Sequence, residues 1–357
     1  MKTHPIADLY ADYLLASFGA TTATGLSELL EGEVSHDQVT RYLAGTKKTA
    51  SDLWRTVKPV VREMQSAAGV LIIDDSIEEK PYTDENDIVC GHYDPSKDRR
   101  LKGINFLTAL YRSQGVKVPV SFHLVAKTQK YTDPKTQKEK RRRPVSKNAV
   151  CQAILKQAVT NLIPFRFVLF DVWFASADTL VFIKPQQPRD FICPLKTNRQ
   201  IALSPVDKQQ GRYVRGDTLE LEAQATRDIY LEGVAFPLVL VKQVFTNADG
   251  SLGIRSLVSS DTTLAFAALT TTYHERWEVE CYHQSLKQNA SLAKSPTQTV
   301  TTQTNHFFAA LCGFIKLERL KMGTKLNHFA LKSKLYLNAL RSAFCTLRTL
   351  IPVQGSA

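Results

Sequence analysis

Two acidic residues each close an apolar run. Gly69–Ile73 (GVLII) leads into Asp74-Asp75-Ser76, and Phe165–Phe170 leads into Asp171. A carboxylate at the C-terminal end of a buried strand stands at the sheet edge where α/β folds gather their ligand sites. A third acid, Glu280, lies in a stretch whose spacing predicts a helix over Thr270–Lys287. At about 100° per residue, Tyr273, Arg276, Glu280 and Lys287 share a stripe roughly 60° wide and roughly 21 Å long. Oxygen ligands suit hard divalent cations, while Arg and Lys suit phosphates. The row therefore reads as a phosphate track containing one metal-binding carboxylate. The same spacing also describes a solvated helix face with an Arg276–Glu280 i,i+4 pair. Asp74 and Asp75 point to opposite faces of an extended chain. A central strand is buried on both faces, so the pattern alone does not choose between them.

The charge balance points to a polyanionic partner. The chain has 357 residues, with 46 Lys+Arg against 34 Asp+Glu, a formal charge of +12. The densest run, Lys127–Lys147, holds nine basic residues (Lys127, Lys130, Lys135, Lys138, Lys140, Arg141, Arg142, Arg143, Lys147) and two acids, Asp133 and Glu139. Pro134 and Pro144 keep it from being one helix. It is either a solvated loop or a phosphate-binding loop, and in so basic a chain Arg141, Arg142 and Arg143 are candidate DNA contacts. Near the N-terminus, Ala23–Leu30 presents Leu26, Leu29 and Leu30 on one face. A turn around Gly32 follows, and Ser35 with Gln38 forms a capping-box pattern that opens a second helix. Val39 and Leu43 point inward and Gly45 closes the helix. Helix, short turn, helix is the shape of a DNA-binding helix-turn-helix. His36, Thr40 and Arg41 would face outward, with Lys47 and Lys48 just beyond. An ordinary helical hairpin has the same pattern.

The elements that must position these residues follow an α/β order. Leu107–Tyr111 and Val118–Val125 read as an antiparallel pair around Ser113-Gln114-Gly115. Asn148–Leu162 reads as a helix, Ser176–Ile183 as another, and Phe191–Leu195 as a strand. From about residue 196 to 261 the character is β, with strict alternation at Leu219-Glu220-Leu221-Glu222 and a hairpin signal at Asn247-Ala248-Asp249-Gly250. Ser291–Thr304 reads as a loop, and helix continues to about Leu350. These signals divide the chain into a helical region at 1–66, an α/β core at 67–196 and 262–300, an inserted β subdomain at 197–261 and a basic helical region at 301–357. A hydrophobic content of 43% excludes a disordered chain. No apolar run reaches the ~20 residues of a membrane span, and the start does not read as a signal peptide. The six Cys have no C-x-x-C spacing, which speaks against a zinc site or a disulfide scaffold and for a reducing, cytoplasmic setting.

Asp74-Asp75-Ser76, Asp171-Val172-Trp173-Phe174 and Tyr273-x-x-Arg276-x-x-x-Glu280-x-x-x-x-x-x-Lys287 together resemble the DDE transposases of bacterial insertion sequences. The resemblance is to the subgroup with a Y-R-E-K signature and a β insertion before the Glu, and it covers about residues 70–345. It implies a ribonuclease H-like mixed sheet core with the inserted β subdomain, flanked by helical regions. It implies that Asp74, Asp171 and Glu280 converge on two Mg²⁺ (with Mn²⁺ as substitute), Asp74 being preferred over Asp75 because the family's first block is Asp, a variable residue, then Ser or Thr. Tyr273, Arg276 and Lys287 would grip phosphates beside the scissile bond. The activity implied is metal-dependent cleavage of double-stranded DNA at the element's terminal repeats, followed by 3′-OH strand transfer into target DNA by a homodimer, close to the bacterial nucleoid. Trp173 is expected to pack in the core rather than to stack on a base. The inserted segment holds no Trp, and its aromatics are Tyr213, Tyr230, Phe236 and Phe245. Two other classes of protein share these features: a DNA-binding protein without catalysis, and a nuclease of the same fold that cuts without joining.

Overall fold

The computed structural model of the chain describes residues 5–350 except 95, 96, 136, 138, 223, 247 and 248. Lys138 of the basic run and the first half of the Asn247–Gly250 turn lie outside the described residues. The chain forms two compact units. A sheet unit takes in residues 49–77 and 87–281, and a helical unit takes in 1–48, 78–86 and 282–357.

The strands of the chain are β1 (Val70–Glu79), β2 (Val89–Asp94), β3 (Arg99–Ser113), β4 (Val116–Leu124), β5 (Gln129–Thr132), β6 (Glu139–Arg142), β7 (Phe167–Phe170), β8 (Asp190–Pro194), β9 (Gln200–Ala202), β10 (Val214–Arg215), β11 (Thr226–Leu231), β12 (Leu238–Thr246) and β13 (Leu252–Ser259). One large mixed sheet runs β10-β9-β11-β12-β13-β8-β7-β1-β3, with β2 and β4 both paired to β3. At its centre β1, β7 and β8 are parallel. Val70–Ile73 and Phe167–Phe170 are buried throughout. Parallel strands covered on both faces need such unbroken apolar runs. The start of β1 leaves no room for a side chain. A Cβ on Gly69 would fall 2.7 Å from the ring of Tyr111, whose hydroxyl accepts from Ser66 N at 3.0 Å and donates to Ser66 O.

The expected β3–β4 pair forms around Gln114-Gly115. The segment from 197 to 261 adds β9 to β13 to the edge of the same sheet, through antiparallel pairing of β13 with β8. Its hairpin is the β12–β13 pair. The alternating Leu219–Glu222 stretch does not form a strand. Alternation reports which side chains face inward, and Leu219 is indeed buried, but it does not supply a ladder partner. The helix Ala50–Met64 buries Leu53, Val57, Val60, Val61 and Met64 within the sheet unit and is opened by a Thr49–Asp52 capping box. The compact units thus divide the chain near residue 49 rather than at residue 66, because this apolar stripe packs beside β4.

The helical unit gathers Ile6–Ala16, Ala23–Leu29, His36–Ala44, Val300–Thr324 and His328–Leu350. Val300–Thr324 is buried on most of its faces from Gln303 to Glu318, as expected of a helix surrounded by others. It begins inside the stretch whose composition reads as loop, with Thr299 as its cap. The Ser35–Gln38 capping box forms, with Ser35 N donating to Gln38 Oε1 at 2.8 Å. Of the apolar face proposed for Ala23–Leu30, Leu26 is buried while Leu29 is exposed. Phe18 lies beyond the end of its helix and stacks on Tyr336 at 3.7 Å.

Candidate active site

The register of the central strands brings the first two acids level. Ile73 of β1 is paired with Phe170 of β7, so Asp74, in the middle of β1 rather than at its end, and Asp171, just past β7, stand at the same height on neighbouring parallel strands. The chain supplies the third acid from the helix Glu278–Gln288. Arg276 joins the group: its Nη1 is 3.4 Å from Asp74 Oδ2 and its Nη2 donates to Glu280 Oε1 at 2.8 Å. Asp75 turns to other partners, accepting from Lys147 Nζ at 2.5 Å and from Asn105 Nδ2 at 2.8 Å. The alternation of the strand thus gives the two adjacent acids different cations.

The electrostatics bind the group together. Burial raises the Asp74 carboxyl to about 7; Arg276 opposes the rise, and the neighbouring Asp75 and Asp171 add to it. Burial works against the charge on Arg276, but Tyr273, Asp74, Asp171 and Glu280 together raise its pKa. All three acids therefore act on one guanidinium. A carboxyl raised chiefly by burial is one whose charged form lacks solvation, and a cation placed there would supply the missing partner. The donor set is oxygen only, which fits a hard divalent cation. Among the described residues no three His, Cys, Asp or Glu side chains stand close enough to hold a metal together as they are. Arg276 occupies the space between Asp74 and Glu280, and a cation entering there needs it to release both.

The remaining candidates are placed as follows. The predicted helix Thr270–Lys287 is interrupted. Phe266–His274 is α-helical, Glu275–Trp277 is a 3-10 turn, and α-helix resumes at Glu278. Three residues advancing about 120° instead of 100° each rotate everything beyond them by about 60°, so the four residues no longer form one straight row. Tyr273 is 4% exposed, and its ring lies about 6 Å from the guanidinium groups of both Arg276 and Arg255. Burial raises its phenol pKa further above the ordinary value. Lys287 belongs to the helical unit, where its Nζ is 3.9 Å from Glu78.

Within the basic run β5 and β6 pair as a separate hairpin, with irregular segments between and after them. Lys130 meets Glu139 at 3.0 Å, Lys140 meets Asp133, and Arg141 meets Asp87 at 3.2 Å. Arg142 lies over the Tyr131 ring, and both Arg142 and Arg143 are exposed. In the helical unit, Arg41 and Lys47 are exposed, while Lys48 lies over the Phe308 ring at 5.9 Å.

Trp173 departs from expectation. It is 57% exposed, whereas Phe174 beside it is 1% exposed. The 3-10 turn after Asp171 turns one ring inward and the other out, although the run V-W-F reads as core. The residues that sequence reasoning missed are Lys196 and Arg255. With Asp171, Lys242, Tyr273 and Arg276 they line a cavity of about 510 Å³. The only advance sign of Lys196 was a cation directly after a strand, and Arg255 lay unremarked in an alternating strand.

A family model described as a DDE superfamily endonuclease matches residues 2–228, which is well over half of the chain. The match takes in Asp74 and Asp171 and ends before Glu280. A search of curated proteins gives no match.

Proposed function

This chain belongs to the DDE superfamily of endonucleases, with a ribonuclease H-like core, and from that premise we propose that it is the transposase of a bacterial insertion sequence. In this reading it cleaves DNA at the ends of the element and then joins the freed 3′-OH to target DNA. What supports the reading is that Arg276 pairs with both Asp74 and Glu280, while the charge of Asp171 also acts on its guanidinium.

Asp74, Asp171 and Glu280 are the residues that would hold Mg²⁺, or Mn²⁺ in its place. A bound pair of such ions would supply positive charge to the attacking and leaving oxygens of an in-line displacement. Arg276, once released from the acids, is placed to take a phosphate oxygen. Guanidinium suits this exchange because it recognises carboxylate and phosphate with the same planar fork. Asp75, paired with Lys147 and tied to Asn105, would anchor the middle of β1 without competing for the cation. Arg255 and Lys196 add positive charge to the cavity beside Asp171, while Tyr273, whose ring is about 6 Å from each guanidinium, would help to orient Arg276 and Arg255. In the same reading Arg141, Arg142 and Arg143 would hold the phosphate backbone, and Arg41, Lys47 and Lys48 the terminal repeat. Lys287 is proposed as a phosphate contact on sequence grounds.

Two element ends call for two copies of the enzyme. Leu337, Leu340, Phe344 and Leu347 are exposed on the C-terminal helix, and their 3-4-3 spacing is that of a two-helix seam. This supports a homodimer.

The test is cleavage of a plasmid carrying the element ends, with Mg²⁺ or Mn²⁺. Asp171→Ala and Glu280→Ala should abolish the product and retain DNA binding. Normal cleavage by both variants would overturn the reading. A strand-transfer assay with pre-cut 3′-OH ends separates a transposase, which gives joined product, from a nuclease, which does not.

A further inference from the structure

The third acid reaches its place through a tight turn, and that turn is gripped from outside. Glu275–Trp277 is a 3-10 turn with α-helix before and after it. The acids at its two ends, Glu275 and Glu278, meet two cations at the end of the β3–β4 hairpin. Arg112 Nη1 is 2.6 Å from Glu275 Oε2, and Arg112 Nε is 3.9 Å from Glu278 Oε1. Lys117 Nζ donates to Glu278 Oε2 at 2.8 Å. The four side chains are 14–34% exposed, so water screens them less than it would at an open surface.

Each half of this network is unfavourable without the other. Arg112 and Lys117 are direct cross-strand partners, and like charges placed opposite each other weaken a strand pair. Their register is fixed by the two-residue turn Gln114-Gly115, whose φ angles of 51° and 76° suit a type I′ hairpin. Glu275 and Glu278 are three residues apart, and in a 3-10 turn such residues lie one above the other. Two carboxylates stacked in this way repel, and relaxing the turn to the α form would set them at an angle. Placed face to face, the two cations and two anions turn both costs into attraction.

The consequence falls on the site. Arg276 lies inside the turn, and Glu280 follows two residues after Glu278. If the three residues relaxed from about 120° to about 100° each, Glu280 would rotate by about 60° relative to Tyr273. A side-chain end about 5 Å from the helix axis would then move by about 5 Å. Mg²⁺ tolerates little error around a ligand distance of about 2.1 Å. Such a shift takes Glu280 out of reach of a cation held by Asp74 and Asp171.

We propose that Arg112 and Lys117 are positioning residues, which clamp the Glu275–Trp277 turn in its tight form and so set where Arg276 and Glu280 stand against Asp74 and Asp171. The proposal rests on the transposase reading only in taking Glu280 as a metal ligand.

The test measures Mn²⁺ binding to the full chain without DNA, by calorimetry, with the unfolding temperature of each protein recorded in EDTA. Arg112→Met should weaken Mn²⁺ binding by about 10- to 100-fold, the usual range when a group that orients a metal ligand is lost. Arg112→Lys, which keeps the charge, should recover part of the loss. Lys117→Met and Glu275→Gln each remove one charge of the network and should weaken binding by smaller factors, which keeps the test open if Arg112→Met does not fold. Arg166 pairs with Asp261 at 3.0 Å elsewhere in the sheet unit, so Arg166→Met controls for the loss of an ion pair as such. It should bind Mn²⁺ as the wild type does, even where its unfolding temperature falls as far. Equal affinity in the wild type and every folded variant of Arg112, Lys117 and Glu275 overturns the proposal, and so does an equal loss in Arg166→Met. Plasmid cleavage is read separately. If the wild type binds Mn²⁺ with the Arg112 contrast but never cleaves, the transposase reading fails and the clamp stands. If it cleaves and the contrast is absent, the clamp alone fails.

Discussion

Both units of the molecule bury polar side chains, and they treat them in opposite ways. In the helical unit the side chains of Asn305 and His306 are fully hydrogen-bonded. Asn305, 1% exposed, donates to the carbonyls of Leu43, Gly45 and Thr46 and accepts from Lys48 N at 2.8 Å. It thereby caps the C-terminal end of the helix His36–Ala44 from a residue more than 250 positions away. His306 accepts from the Tyr10 hydroxyl at 3.0 Å and donates to Leu292 O at 3.3 Å. In the sheet unit the acids share one arginine, and burial holds the Asp74 carboxyl well above the ordinary carboxylate range. Saturated polar groups hold a fold together, whereas like charges crowded around a single exchangeable partner cost stability that only a ligand recovers. The contrast assigns structure to one cluster and chemistry to the other.

The strongest way to break this contrast is to truncate a residue in each cluster. Asp171→Ala and Glu280→Ala should lower cleavage by on the order of 10³-fold or more, the equivalent of several kcal/mol of transition-state stabilisation. The unfolding temperature of Asp171→Ala should stay level or rise, since it removes a charge that repels Asp74, whereas Glu280→Ala also removes a partner of Arg276 and should lower it slightly. Asn305→Ala should behave in reverse. It strands buried carbonyls and should cost about 1–3 kcal/mol of stability, read as a lower denaturation midpoint, with cleavage per folded molecule unchanged. If Asn305→Ala were stable but inactive, the division of roles would be wrong.

A smaller effect sharpens the account of the acidic cluster. Arg276→Gln removes the cation between Asp74 and Glu280. The side chains are partly open to solvent, so the expected loss is about 2 kcal/mol, less than for a fully enclosed pair. The loss should be seen in EDTA by calorimetry, and Mg²⁺ should raise the unfolding temperature of this variant more than that of the wild type. A metal response no larger than that of the wild type would remove Arg276 from the place assigned to it.

The pH dependence distinguishes the helical unit by its sign. Burial first, and then the nearby Lys80, lower the His306 pKa to about 4, against the hydrogen bond to Leu292. A depressed imidazole stays neutral in the fold while the unfolded chain takes up a proton below about 6.5, so stability rises with pH from about 4 to 6.5 and is lost on acidification. Between pH 7 and pH 5.5 the loss from this one group should be about 1 kcal/mol. His306→Gln should flatten that part of the pH–stability curve, measured by urea titration. An unchanged slope would show that His306 titrates normally.

The sequence made visible those parts of the site that depend on local pattern. Ile72-Ile73 before Asp74 and Leu169-Phe170 before Asp171 are legible because a central parallel strand needs apolar residues on both faces. The Ser35–Gln38 box is legible because its partners are three residues apart. The pairing of Ile73 with Phe170 joins residues nearly a hundred positions apart, and no local signal encodes it. The break at Glu275–Trp277 was hidden because an unbroken helix and a helix with one tight turn share the same apolar spacing. Trp173 was misplaced for a related reason: in Val172-Trp173-Phe174 the apolar character is uniform, and only the turn decides which ring faces out. The β5–β6 hairpin carries no alternation of apolar residues, since no residue of its strands is buried.

That hairpin is a third kind of polar region, and it refines the contrast between the two clusters. Its acids are already used: Glu139 pairs with Lys130, Asp133 with Lys140, and Asp87 reaches in to Arg141. Exposed pairs of this sort add little to stability, typically 0–1 kcal/mol. Their removal should therefore leave the unfolding temperature almost unchanged. What remains is a surplus of cations, with Arg142 and Arg143 exposed at the end of β6. If these cations meet DNA backbone, each neutralises a phosphate and releases counterions. Arg142→Ala and Arg143→Ala should then each reduce the log–log salt slope of DNA binding by roughly one, with the same loss on any sequence. Arg141→Ala should do less, because Asp87 already holds its guanidinium. A slope that does not move would make the hairpin a solvated surface and leave DNA contact to other parts of the chain.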